Sequence, residues 1–338
     1  MSVLDAAMGK LDQWQRRHRP VAFVVAVIKK SGDDDSGHLV ALLTYYAFIS
    51  TFPLLLALTG GLGLVLRGHP ALQHKIQQSA LTEFPIIGDQ LHSQLGISTL
   101  SHSTPALVVG TVGALLGGRG LANATQYVFN TLWSVPFHQR PTFPNNLLRS
   151  IALLLLLGAA AAGAAVVASL AGIGDGVLGG WPTKIVLTAL WAVLDSALFL
   201  AIFRIAIAKT VATRDLVLGA ILSGLAWLVL LNAAGIVVKH YLHHAQALAG
   251  LFGIVLGLLA WFGLQAAVTV FAVEADVVRS KQLWPRGLRT ENPTAADRRS
   301  FELLVQAQVR RADQTISVVV DEPAGNERMA PEESTLGG

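Results

Sequence analysis

Arg119 and Asp195 carry the chemistry most out of place in this chain, because each interrupts a stretch that is otherwise almost wholly apolar. An ionisable side chain at membrane depth costs several kcal/mol unless it is paired or wet, so such residues mark substrate or proton pathways, or buried ion pairs that fix helix register. Arg119 also heads a polar stripe. Asn123, Gln126 and Asn130 follow it at spacings of 4, 3 and 4, which puts all four on one helical face. At 1.5 Å rise per residue, Arg119 lies about 21 Å along its segment from Pro105, and Asp195 about 15 Å from Ile185. Entering from the same side, the two reach similar depth near mid-membrane, and we expect them to pair or to share a polar cavity. Trp261, Gln265, Thr269 and Asp276 form a second one-sided set at spacings of 4, 4 and 7. The candidate polar pathway is therefore Arg119, Asn123, Gln126, Asn130, Asp195, Gln265, Thr269 and Asp276. Glu274 falls on the far side of its helix from Gln265, near the helix end, where it either lines a path or caps against Arg279 or Lys281.

Other clusters carry less. His240, His243 and His244 have metal-like spacing but no carboxylate or cysteine beside them, which reads as a solvated loop. Gly174, Gly176 and Gly179 match the dinucleotide pattern G-x-G-x-x-G without the strand that pattern requires, and no cofactor site is expected. The run Asp33-Asp34-Asp35 inside SGDDDSG reads as a solvated turn, not a cation loop. The chain has no cysteine, which excludes disulfides, thiolate metal sites and cysteine nucleophiles.

The elements that must hold these residues are apolar and long. Hydrophobic residues make up 53% of the chain and charged ones 14%, where a soluble domain carries about a quarter charged. We expect an all-α polytopic membrane bundle of six transmembrane helices over 39–66, 105–133, 147–171, 185–203, 216–238 and 248–278. The first is a 28-residue uncharged stretch, but Thr44, Tyr45, Tyr46, Ser50, Thr51 and Pro53 make it a helix built to face protein. Residues 1–38 read as cytoplasmic amphipathic and interfacial helices. In the first of these, Leu4, Ala7, Met8, Leu11 and Trp14 recur at helical spacing ahead of Arg16, Arg17 and Arg19. The polar segment 67–104 is expected to form a helical cap on the outer side, long enough to be functional. Residues 279–338 read as a cytoplasmic tail, with a helix over 298–311 and otherwise largely disordered.

Basic residues orient the bundle. Lys10, Arg16, Arg17, Arg19, Lys29 and Lys30 precede span 1, Arg140 and Arg149 follow span 2, Arg204, Lys209 and Arg214 follow span 4, and Arg279, Lys281, Arg286 and Arg289 follow span 6. The other side has Arg67, Lys75, Lys184 and Lys239. The positive-inside rule then predicts both termini in the cytoplasm. The pI near 9.5 is accounted for by these juxtamembrane cations, not by a nucleic-acid surface.

The first span, with Tyr45, Tyr46, Ala47, Ser50, Phe52, Pro53, Leu54 and Leu55, and Ala41 four residues before Tyr45, resembles the YYAxxSxFPLL signature of the YihY/BrkB family of bacterial inner-membrane proteins. Asn130 and Trp133 resemble that family's N-x-x-W after its second span, and Gly219, Ala220 and Trp227, with Tyr241 beyond, its G-A…W…Y run. Glu274 matches the acid of its span-6 ending, although Ala272-Val273 stands where Gly-Ala is usual. The resemblance covers residues 41–278 and implies a bacterial cytoplasmic-membrane location and a role in envelope biology. The ribonuclease BN name once attached to such sequences does not fit, since a metal-dependent nuclease needs a His/Asp cluster this sequence lacks. We therefore expect no enzyme, but a transporter or flippase-like protein for a lipid or small envelope solute. The alternative is a non-transporting scaffold for envelope machinery. Membrane lipids and envelope proteins are the expected partners.

Overall fold

The computed structural model describes residues 3–65, 104–174, 181–245, 250–288 and 293–317. The expected outer cap, the glycine pattern at 174–179 beyond its first residue, the side chains of His240, His243 and His244, and the end of the tail lie outside the described residues. Within them, all regular structure is helical.

Two short helices come first, α1 (Val3–Arg17) and α2 (Arg19–Asp33). His18 takes an extended conformation between them and Pro20 opens α2, where a proline costs no hydrogen bond. After a turn in which Asp35 adopts φ 54°, α3 (Ser36–Val65) runs for 30 residues, about 45 Å and more than a bilayer core is thick. Pro53 lies inside it without ending it. Then follow α4 (Thr104–Leu132), α5 (Asn145–Gly174), α6 (Trp181–Ala206), α7 (Val217–Ala245) and α8 (Gly250–Ser280). Among the described residues, three stretches are long and apolar enough to cross a membrane: Ile185–Ala206, Thr213–Ala233 and Val255–Ser280. The last helix, α9 (Ala295–Ala307), starts earlier than the sequence suggests because Thr294 and Asp297 close a capping box at its N-terminus.

Small residues set the packing. The α3–α4 pair is the most extensive. Ser50 Oγ donates to Gly117 O at 2.8 Å, and a Cβ on Gly120 would lie 2.8 Å from the Tyr46 ring. In the α6–α7 pair a Cβ on Gly224 would lie 2.6 Å from Ser196 N. Such close approach replaces a hydrophobic driving force that lipid does not supply. α8 packs against α3, α7 and α2. The core is densest where α4, α6 and α8 end, around Val128, Phe129, Leu132, Phe203, Ile207 and Val277, with Phe129 and Phe203 edge to face at 5.1 Å. By contrast, α5 and α6 leave Leu148, Leu155, Ile185, Val186 and Val193 uncovered, as a lipid-facing helix would.

The turn at Asp33–Asp35 differs from its expected solvation. Only Asp35 is solvated, beside His38. Asp33 pairs with Arg286 at 2.5 Å and Asp34 with Lys30. Lys30 lies one helical turn before Asp34, but nothing in the sequence reveals the partner of Asp33, since Arg286 is 253 residues away.

Candidate functional site

The polar stripe of α4 forms, and it faces protein. Asn123 Oδ1 accepts from Ser150 Oγ of α5 at 3.1 Å, and Gln126 Nε2 donates to the same hydroxyl at 3.0 Å. Asn130 is buried. Its Nδ2 donates to Ala206 O at 3.0 Å and its Oδ1 accepts from Ala208 N at 2.9 Å. From α5, Arg149 Nη1 donates to Ile205 O and Ile207 O at 3.1 and 2.8 Å. Together they satisfy carbonyls that the end of α6 leaves without intrahelical partners. Trp133, three residues beyond Asn130, is buried in the same core.

Arg119 departs from the stripe. It is exposed on α4 and makes no hydrogen bond or ion pair with a described residue. Asp195 is half-buried on α6 and likewise has no such partner. The expected Arg119–Asp195 pair is therefore not formed, but the two residues lie at similar depth. Because Asn130 bonds to Ala206, the ends of α4 and α6 are level. Arg119 is eleven residues before Asn130 and Asp195 eleven before Ala206, about 16 Å back along each helix.

The α8 set splits. Trp261 is buried, Gln265 and Thr269 are half-buried, and Thr269 Oγ1 bonds back to Gln265 O at 2.9 Å. Asp276 is fully buried and accepts from Gly219 N of α7 at 2.7 Å, capping that helix from a neighbour. Ala220 is buried next to it, and Trp227 stands edge to face with Phe199 at 6.4 Å. Of the first-span residues, Tyr45 and Tyr46 stack edge to face at 5.3 Å, and Ser50 holds α4.

Glu274 meets neither Arg279 nor Lys281. It accepts from Ser36 Oγ at 2.8 Å and pairs with Lys30 at 3.2 Å. Lys30 is itself buried, shared between Glu274 and Asp34, and donates to Leu132 O at 3.0 Å. Burial opposes its charge, but the facing Glu274 and Asp34 carboxylates hold its ammonium above the ordinary lysine value. α2, α3, α4 and α8 thus meet at one cation. A second junction, which the sequence did not single out, lies around Arg286. Its guanidinium is buried against Asp33 and Asp297, the latter at 2.8 Å. Asp297 also accepts from Lys29 Nζ at 3.0 Å and from Gly287 N and Thr294 N at 2.9 Å each. The capping-box spacing Thr294–Asp297 was its one legible signal.

No curated protein and no solved structure matches the chain. A family model described as virulence factor BrkB matches residues 27–297, which takes in both junctions, the α4 stripe and every motif residue from Tyr45 to Glu274. With that match over most of its length and with its long apolar helices, the chain belongs to the YihY/BrkB family and is an integral membrane protein.

Proposed function

We propose that this chain is a six-span protein of the bacterial cytoplasmic membrane, with both termini in the cytoplasm and residues 67–104 capping its outer side. In this reading it moves a lipid or small envelope solute and catalyses no covalent step. The observation that carries it is the pair of charges, Arg119 and Asp195, that have no ion-pair or hydrogen-bond partner among the described residues. They have opposite sign, lie at matching depth, and stand among exposed apolar residues such as Leu115 and Leu116 on α4 and Leu190 and Val193 on α6. Charges held there are costly and are retained where they meet a polar substrate or water. A cation and an anion that do not neutralise each other are suited to the phosphate and amine of a zwitterionic headgroup, which makes membrane lipid the favoured cargo.

A scaffold for envelope proteins is the second reading. It is favoured by Asn123, Gln126 and Asn130, whose hydrogen bonds to α5 and α6 use the stripe as glue instead of as a water-lined wall. Reconstitution separates the two. With acyl-labelled fluorescent phosphatidylcholine in liposomes, the wild type is expected to expose inner-leaflet label to dithionite, and Arg119→Gln and Asp195→Asn to slow that at least tenfold, about 1.4 kcal/mol of barrier. Bleaching no different from protein-free liposomes would leave the scaffold.

A further inference from the structure

α1 is docked the wrong way round for a helix that packs on a bundle in water. Among its described side chains, residues 9–17, the buried ones are polar. Asp12 Oδ1 accepts from Leu288 N at 2.8 Å and from Gln15 Nε2 at 3.1 Å, and Gln15 Nε2 also donates to Arg286 O at 2.7 Å. Its apolar Leu11 and Trp14 are instead 54% and 49% exposed. α2 buries small apolar residues but also leaves large ones uncovered. Ala22, Ala26, Val27 and Lys30 face the bundle, while Val24 and Ile28 are 55% and 60% exposed. A helix in water buries its large apolar side chains, so Leu11, Trp14, Val24 and Ile28 face something other than water.

The charges identify it. Lys10, Arg17 and Arg19 are exposed around the uncovered residues, and the one carboxylate between Lys10 and Arg19, Asp12, is turned into the protein and paired with Arg16. Exposed apolar side chains rimmed by cations and containing a tryptophan are what an interfacial helix offers to anionic headgroups. The placement agrees. α2 passes through a short turn into α3 and packs on the end of α8, the level at which those helices leave the bilayer.

We propose that α1 and α2 form an interfacial anchor that inserts Leu11, Trp14, Val24 and Ile28 into an anionic lipid surface, held in register by the Asp12, Gln15 and Arg286 contacts. The proposal rests on the reading that α3 and α8 cross the membrane.

The chain has no cysteine, so single probes can be placed on the full protein. Leu11→Cys, Ile28→Cys and, as a control, Gln13→Cys would carry an environment-sensitive fluorophore in vesicles of phosphatidylglycerol and phosphatidylcholine. Shallow doxyl-labelled lipid is expected to quench the probes at 11 and 28 and not at 13, and quenching should fall at least threefold in phosphatidylcholine alone. Equal quenching at 11, 28 and 13, or no loss in neutral vesicles, overturns the proposal. So does shielding of 11 and 28 from both doxyl lipid and aqueous iodide, which would mean that a protein covers the face. A probe at Leu155→Cys on α5 separates the two readings. If deep doxyl lipid quenches it while the probes at 11 and 28 stay unquenched, the anchor fails and the membrane bundle stands. If 155 is unquenched, the bundle itself is misread.

Discussion

At Gly219 the backbone N–H reaches Asp276 Oδ1 at 2.7 Å, and a Cβ built there would run into the Asp276 carboxylate and lie 2.7 Å from Ala272 O. The second obstacle is backbone and has nowhere to go. Gly158 on α5 has nothing within 4 Å of the same construction. Two glycine-to-alanine changes in apolar helices should therefore differ in sign. Gly219→Ala is expected to lower stability in detergent by about 2 kcal/mol through overpacking, and Gly158→Ala to be neutral or to gain up to about 1 kcal/mol from helix propensity. Removing the carboxylate with Asp276→Ser should not rescue Gly219→Ala, because Ala272 O remains. Thermal unfolding of the three variants tests this, and rescue by Asp276→Ser would show that the side chain alone demands the glycine. The family resemblance had marked Gly219 and Asp276 could be seen as one member of a polar face, but nothing in the sequence joined them.

At the scale of elements, what the sequence conveyed was periodicity, and what it withheld was the neighbour. Asn123, Gln126 and Asn130 are legible as one face, yet a helical projection cannot say whether that face meets water or another helix, and here Ser150 and Ala206 occupy it. The clasp between α2 and α9 was less legible still, because Asp33 and Lys29 meet partners at the far end of the chain. Its centre is Asp297. Burial alone would raise that carboxyl, but hydrogen bonds from Gly287 N, Thr294 N, Arg286 and Lys29 outweigh it and hold the group below the usual aspartate range. A group depressed in the folded state stabilises fully above its unfolded pKa, and that contribution is lost as pH falls through the folded value. Asp297→Asn should thus cost about 3 kcal/mol, since it removes one of the two carboxylates that hold the buried Arg286 and the one that pairs with Lys29. The gap between wild type and variant should be flat from about pH 8 to 5 and shrink below about pH 4, where the unfolded aspartate takes up its proton. A gap that does not change with acid would mean that the charge of Asp297 is not what holds the clasp.

Across the whole molecule, the contacts gather the chain's basic connections at one end. Lys30 reaches Leu132 O, Asn130 reaches Ala206 O, Arg279 reaches Arg214 O at 3.4 Å, and His138 N reaches Val309 O at 3.4 Å. The segments before α3 and after α4, α6 and α8 therefore share one face of the bundle, and these are the segments in which the sequence concentrates its lysines and arginines. Charge counting and three-dimensional contact are independent routes to the same grouping, because the hydrogen bonds involve backbone carbonyls that carry no sequence signal. In the proposed topology, by the positive-inside rule, that face is the cytoplasmic one. Single cysteines at the exposed His138 and Lys209 should then react with a membrane-impermeant thiol reagent only after cells are permeabilised, while Ser101→Cys, between α3 and α4, should react in intact cells. Labelling of 138 and 209 from opposite sides would break the shared face itself. Labelling of both from outside would keep the bundle and reverse it, placing the α1–α2 anchor and its cations on the leaflet that the charge rule disfavours.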